Sequence, residues 1–201
     1  MTAKIESFEC LLDDFINSLI DEGIEIRTGI DNSTLSALET KLMPYCLGDD
    51  LKTLYNICGG SNPDHMMLGY SDFMTISDSW QEYQRLKEYF KSIGSRWPDA
   101  LFPIGKTQST VLVLLEREQY FESNVFLFYP GDGDLALYRE YQSLSALFTV
   151  RLRENPGSSR EELRKTYAAD CYFSEADEQR PTPNYFELNE GIDSVPKGWF
   201  Y

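Results

Sequence analysis

An α+β fold, with helices gathered in the first half of the chain and strands in the second, is what this sequence predicts. Three observations lead there. Apolar residues recur at three- and four-residue spacing through several segments before Trp97. From Trp97 that period gives way to short β-rich runs separated by polar or glycine-rich breaks. The length, 201 residues of which 42% are hydrophobic and 14% aromatic, is enough for one domain with its own core and short for two. Helices first and strands after favour α+β over an alternating, doubly wound sheet.

Residues 3–21 place Ile5, Phe8, Leu12, Phe15 and Leu19 at helical spacing with acids between them, an amphipathic helix that covers the core or meets a partner. A second helix is expected after Asn32-Ser33, with Leu35, Leu38 and Leu42 on one face. A third runs from Asp49 to Ile57: Asp49 and Asp50 suit its positive N-terminal end, and Gly59-Gly60 suit its stop, because glycine accepts the left-handed conformation that closes a helix. Ser77–Ile93 is the fourth, striped by Ile76, Trp80, Tyr83, Phe90 and Ile93. Strands are expected at Phe102–Ile104, Thr110–Leu115, Val125–Tyr129 and Leu135–Tyr138, with a turn at Pro130-Gly131-Asp132-Gly133. A further helix begins at Ser143 and ends near Arg153, Asn155-Pro156-Gly157 breaks the chain, and a short helix restarts at Ser158-Ser159. The acidic tail from about residue 173 holds Tyr185, Phe186, Leu188, Trp199, Phe200 and Tyr201, which predict that it wraps back on the domain; ordering on a partner is the other reading. The organisation expected is a helix in residues 1–28 packed on a domain of residues 29–153, followed by an extension over 154–201.

The formal net charge is −15. A surface this acidic repels phosphate backbones and anionic headgroups, so nucleic acid and membrane are poor partners, whereas a basic protein is drawn in. Solubility alone also accounts for such charge. Residues 1–31 carry eight acids against two bases, and residues 154–201 ten against five. Cys10, Cys46, Cys58 and Cys171 are scattered without a short paired spacing, which points to a reducing compartment, although an even count leaves a disulfide pair open. With an N-terminus that has neither the basic nor the apolar stretch of a secretory signal, a cytoplasmic location is expected.

Catalytic patterns fail in turn. His65 is the single histidine and lies in a loop-like Asn62-Pro63-Asp64-His65-Met66 stretch, and no Gly-x-Ser-x-Gly elbow is present. Cys46, Cys58 and His65 lack the close ligand pair of a zinc site. Asp132 and Asp134 open like a calcium loop, but Ser143 stands where the bidentate Glu belongs. Gly105-Lys106-Thr107 ends like a phosphate-binding loop, yet Ala100 replaces the earlier glycine and a strand follows instead of a helix. Asp13-Asp14 and Asp49-Asp50 are helix neighbours pointing apart, which makes solvated charge of them. No catalytic residue, cofactor or metal is therefore expected.

The order of several short pieces between about Gly29 and Arg153 resembles the SUKH superfamily, of the Smi/Knr type. Leu38–Leu42 looks like its first helix, and Asp50–Tyr55 followed by Gly59-Gly60 like its second helix and glycine stop. Trp97-Pro98 and Phe102-Pro103-Ile104-Gly105 are similar to its Trp-Pro and Pro-Ile elements, Val111–Leu115 to the next strand, and Ser143–Leu147 to its closing helix start. Gly48 and Cys58 depart from the pattern, where a proline and a polar residue are usual. The resemblance implies a mostly antiparallel sheet flanked by helices, no catalytic centre, and a protein partner. It further implies an immunity protein that neutralises a basic, nuclease-type toxin or, alternatively, a regulatory scaffold like fungal cell-wall regulators; an enzyme is the third reading. Asp132, Asp134 and Glu140 are the candidate partner-binding acids, while Gly59, Gly60, Trp97, Pro103 and Ile104 are expected to hold the fold.

Overall fold

The first helix, α1 (Phe8–Asp21), starts where Ser7 accepts a hydrogen bond from Cys10 N (3.3 Å), which satisfies one of the amide donors that a helix start leaves open. It buries Leu11, Leu12, Phe15, Ile16 and Leu19. The computed structural model describes residues 7–62, 68, 71–107, 109–117, 124–129, 135–153, 185–188 and 197–200. After a short strand β1 (Ile26–Thr28), helix α2 (Asn32–Leu42) is capped by Asp31, whose carboxylate accepts from Thr34 N at 2.8 Å; it buries Leu35, Leu38 and Leu42. The helix begins at Asn32 itself, not after Asn32-Ser33, since the aspartate before it accepts from the first turn.

Helix α3 (Asp49–Ile57) has the expected limits, but its ending differs. Cys58 is already extended (φ −126°, ψ 113°), and the chain passes directly into strand β2 (Cys58–Ser61). Gly59 and Gly60 are thus strand residues, not a left-handed helix stop. Their need for glycine is close approach and backbone angle: a Cβ on Gly59 would lie 2.2 Å from the Thr28 carbonyl oxygen of the paired β1, and Gly60 has φ +127°.

Helix α4 (Ile76–Ser92) begins with a reciprocal cap in which Thr75 Oγ1 accepts from Asp78 N (3.2 Å) and donates to the Asp78 carboxylate (2.6 Å). Strands β3 (Leu101–Lys106), β4 (Thr110–Leu114), β5 (Val125–Tyr129) and β6 (Ala136–Tyr141) follow, and β7 (Tyr185–Glu187) comes from the C-terminal extension. The five form one antiparallel sheet in chain order. Pro103 is tolerated because β3 is an edge strand and its pairing shifts between Pro103 and Gly105, where a missing amide donor costs least. All of β4 and four of the five residues of β5 are buried, the pattern of strands covered on both faces.

Helix α5 (Leu144–Arg153) packs on α1, with the Phe148 ring 5.0 Å from Phe15 and 6.0 Å from Phe8. Across the molecule Trp97 sits 5.2 Å from Phe90 of α4 and 5.5 Å from Phe128 of β5, and its indole donates to the Leu101 carbonyl (3.1 Å). Leu188 and Trp199 are buried in the same core. The result is the expected α+β fold, with antiparallel sheets flanked by helices. The turn at 130–133, the helix restart at 158 and His65 lie outside the described residues.

Candidate functional site

Between β2, the start of α4 and the end of β3 there is a cleft of about 180 Å³, lined by Arg27, Ser61, Asp72, Thr75, Asp78 and Lys106 among others. Its polar groups are committed to holding the backbone. Asp72 accepts from Lys106 N (3.1 Å), Ser61 Oγ accepts from Phe73 N (2.9 Å), and Thr75 and Asp78 cap each other. Burial pushes the Asp72 carboxyl up, partly offset by the Lys106 amide. Two acids facing two bases give the cleft no strong field of either sign, and it is smaller than the several hundred Å³ usual for ligand sites.

The buried carboxylates are likewise occupied. Glu82 receives Arg85 through two bonds (2.7 and 2.6 Å) and Lys106 Nζ at 2.8 Å. Burial works to raise its pKa, but these charged hydrogen bonds outweigh it and hold the carboxyl below its ordinary value. Asp99 binds Lys87 (2.7 Å) and Arg96 (2.6 Å). A general acid working near neutrality needs the opposite shift from that of Glu82. Burial raises Cys58 to about 11 and also pushes Cys46 up, away from the thiolate a nucleophile requires. Among the described residues no three His, Cys, Asp or Glu side chains gather as metal ligands.

Asp132 and Asp134 lie outside the described residues. Glu140 lies near the end of β6 and is 1% exposed. Period-two reasoning could not place it, because both faces of this sheet are largely covered. Trp97, Pro103 and Ile104 are buried where β3 meets α4 and β4, and Gly59 and Gly60 lie in the small sheet.

The exposed side of α1 is different in kind. Glu9, Asp13, Asp14 and Asp21 are exposed, as are Cys10, Asn17 and Ile20, and at 100° per residue these positions form one face opposite the buried leucines. Glu22 and Glu25 extend the charge beyond the helix, and no Lys or Arg occurs between Lys4 and Arg27. None of these acids is in an ion pair with another described residue. Glu9 and Asp13 repel at i,i+4, and Asp21 opposes the negative end of the helix dipole. The sequence marked this helix by its apolar stripe; the signal for the other face was the run of acids lacking any compensating base.

The model of the SMI1 / KNR4 family (SUKH-1) matches residues 29–149. The chain belongs to the SMI1 / KNR4 family. No curated protein matches it. The SMI1 / KNR4 family is one of protein-interaction domains, generally non-catalytic, and the match here runs from α2 through most of α5. α1, β1 and β7 are additions to the SMI1 / KNR4 span, as is Trp199. No described helix is long and apolar enough to cross a membrane.

Proposed function

We propose that this chain is a cytoplasmic immunity protein that binds a basic, nuclease-type toxin domain and neutralises it by occlusion, without chemistry of its own. Family membership supplies the protein-binding class. The observation that carries the finer reading is the acidic face of α1. That helix tolerates like-charge repulsion and an unfavourable dipole contact while its other face is fully used for packing. Charges that cost stability and pair with no other described residue favour an external partner. A nuclease presents cations to bind phosphates, and carboxylates set along a helix offer those cations a competing surface. Asp132 and Asp134 extend this reading as further candidate contacts.

The test begins with the neighbouring gene in the source genome, whose product is purified and titrated against this chain by calorimetry, with nuclease activity and growth protection measured alongside. Tight binding and loss of nuclease activity are expected. E9Q/D13N/D14N/D21N is expected to slow association at least about tenfold, as electrostatic steering requires. A neighbouring product that is neither basic nor bound, or a neutralised helix that associates at the parent rate, overturns the proposal. Removing residues 154–201, the experiment the sequence invites for separating inhibitor from scaffold, is not clean, because it uncovers the sheet surface that Leu188 and Trp199 are buried against.

A further inference from the structure

Residues 185–188 and 197–200 are held the way a bound peptide is held. They pair along β6 in the register Ala136↔Glu187, Leu137↔Phe186 and Tyr138↔Tyr185. Leu188 N donates to the Leu135 carbonyl (3.1 Å) and Ser95 Oγ to the Leu188 carbonyl (3.3 Å). Tyr45 Oη donates to the Gly198 carbonyl (2.8 Å) and Ala100 N to the Trp199 carbonyl (3.0 Å). Trp199 itself is 4% exposed, in a slot walled by Tyr45, Ala100, Leu114 and Leu115, with its ring 5.3 Å from Phe126.

Each receiving group named above belongs to the span that matches the family, and the strap lies outside that span. The family domain by itself therefore has an open β6 edge and an aromatic slot over the same sheet. An open strand edge combined with a side-chain pocket is how domains capture extended peptides by strand addition. Cations lie over two of the rings at this slot, Arg96 over Phe200 at 5.3 Å and Arg117 over Tyr45 at 5.8 Å, and Arg96 is already paired with Asp99, so what the slot selects is the aromatic anchor.

We propose that residues 185–188 and 197–200 act as an intramolecular ligand, and that the groove they fill accepts in their place an extended segment of a partner protein ending in an aromatic anchor. None of the groove residues named here lies in α1, so this inference and the toxin reading succeed or fail separately. Because the strap is tethered, it competes at an effective concentration of roughly millimolar order, and a free segment making the same contacts binds the intact chain only weakly. A natural partner has to exceed the strap in contacts or in local concentration.

A fluorescein-labelled peptide with the sequence of residues 185–201 tests this by anisotropy against the full-length chain and its W199A variant. W199A weakens the strap and leaves the groove intact, so it is expected to bind the peptide at least about tenfold more tightly than the parent, a loss of the size that a buried aromatic anchor supplies. A peptide that itself carries W199A is expected not to bind. Equal binding by parent and variant, or equal binding of both peptides, overturns the inference. Should W199A lose its cooperative thermal transition, a protease site inserted within residues 154–184 of the full chain leaves every described strap contact in place. After cleavage, displacement of the strap by excess labelled peptide from a still-folded remainder supports the proposal. A strap that departs only when the remainder unfolds shows that it is core, and sinks it.

Discussion

Single residues in this protein are constrained by what stands against them. A methyl group at Gly59 would lie 2.2 Å from a main-chain oxygen of β1, so backbone has to move. Gly59→Ala is expected to destabilise by at least about 2 kcal/mol in urea titration. Gly94→Ala, with φ +77° but open space around it, is expected to lose only about 1 kcal/mol. Glu82 behaves as an acid stabilised in its charged form. Its carboxyl is held below the ordinary 4.5, so the stability it contributes is present above that pH and is lost as pH falls through the lowered folded value. Burial raises Asp50 and Asp72, which act in the opposite sense and favour the fold as pH falls through their raised values. Glu82→Gln is therefore expected to flatten the acid limb of a stability profile below about pH 4.5; an unchanged slope there would count against this assignment. Glycine's presence at 59 and 60 was legible in the sequence. Its reason was not, since the partner strand β1 is only three residues long and carries no alternation to read.

At the level of elements, periodicity served the helices well. α3 and α4 begin and end within a residue of where apolar spacing and capping chemistry put them, and α2 begins about two residues early, because both signals are local. α1 shows how one helix divides its faces between stability and recognition. Phe15→Ala removes the ring that meets Phe148 and is expected to cost about 3 kcal/mol, read as a drop in the thermal midpoint. Asp21→Lys is expected to move two observables apart. It puts a cation at the negative end of the helix and raises stability by a few tenths of a kcal/mol, while slowing association with a basic partner. A variant that gains stability and also keeps its partner's on-rate would remove Asp21 from the binding face.

On the scale of the whole molecule, charge is the property most directly set by composition. With a net charge of −15, association with a basic partner is expected to slow steeply between about 50 and 300 mM salt, as the Debye length contracts to well under 10 Å. Dissociation is expected to change far less, and stopped-flow measurement separates the two. The α+β class, the helices, the strands β3 to β6 and the acidic character all follow from order, spacing and composition, which are properties of neighbouring residues. Family resemblance was readable for the same reason, as an order of short local pieces. Three things were decided only by folding. β1 and β2 find each other across some thirty intervening residues. β7 returns from beyond residue 153 to pair with β6, and Trp199 enters a slot whose walls come from Tyr45, β4 and β5. Glu140 is the counterpart: an acid that sequence places outside and packing places inside. Local patterns state which way a residue can face, but burial depends on what distant segment arrives to cover it, and that is settled by contacts between residues far apart in the chain.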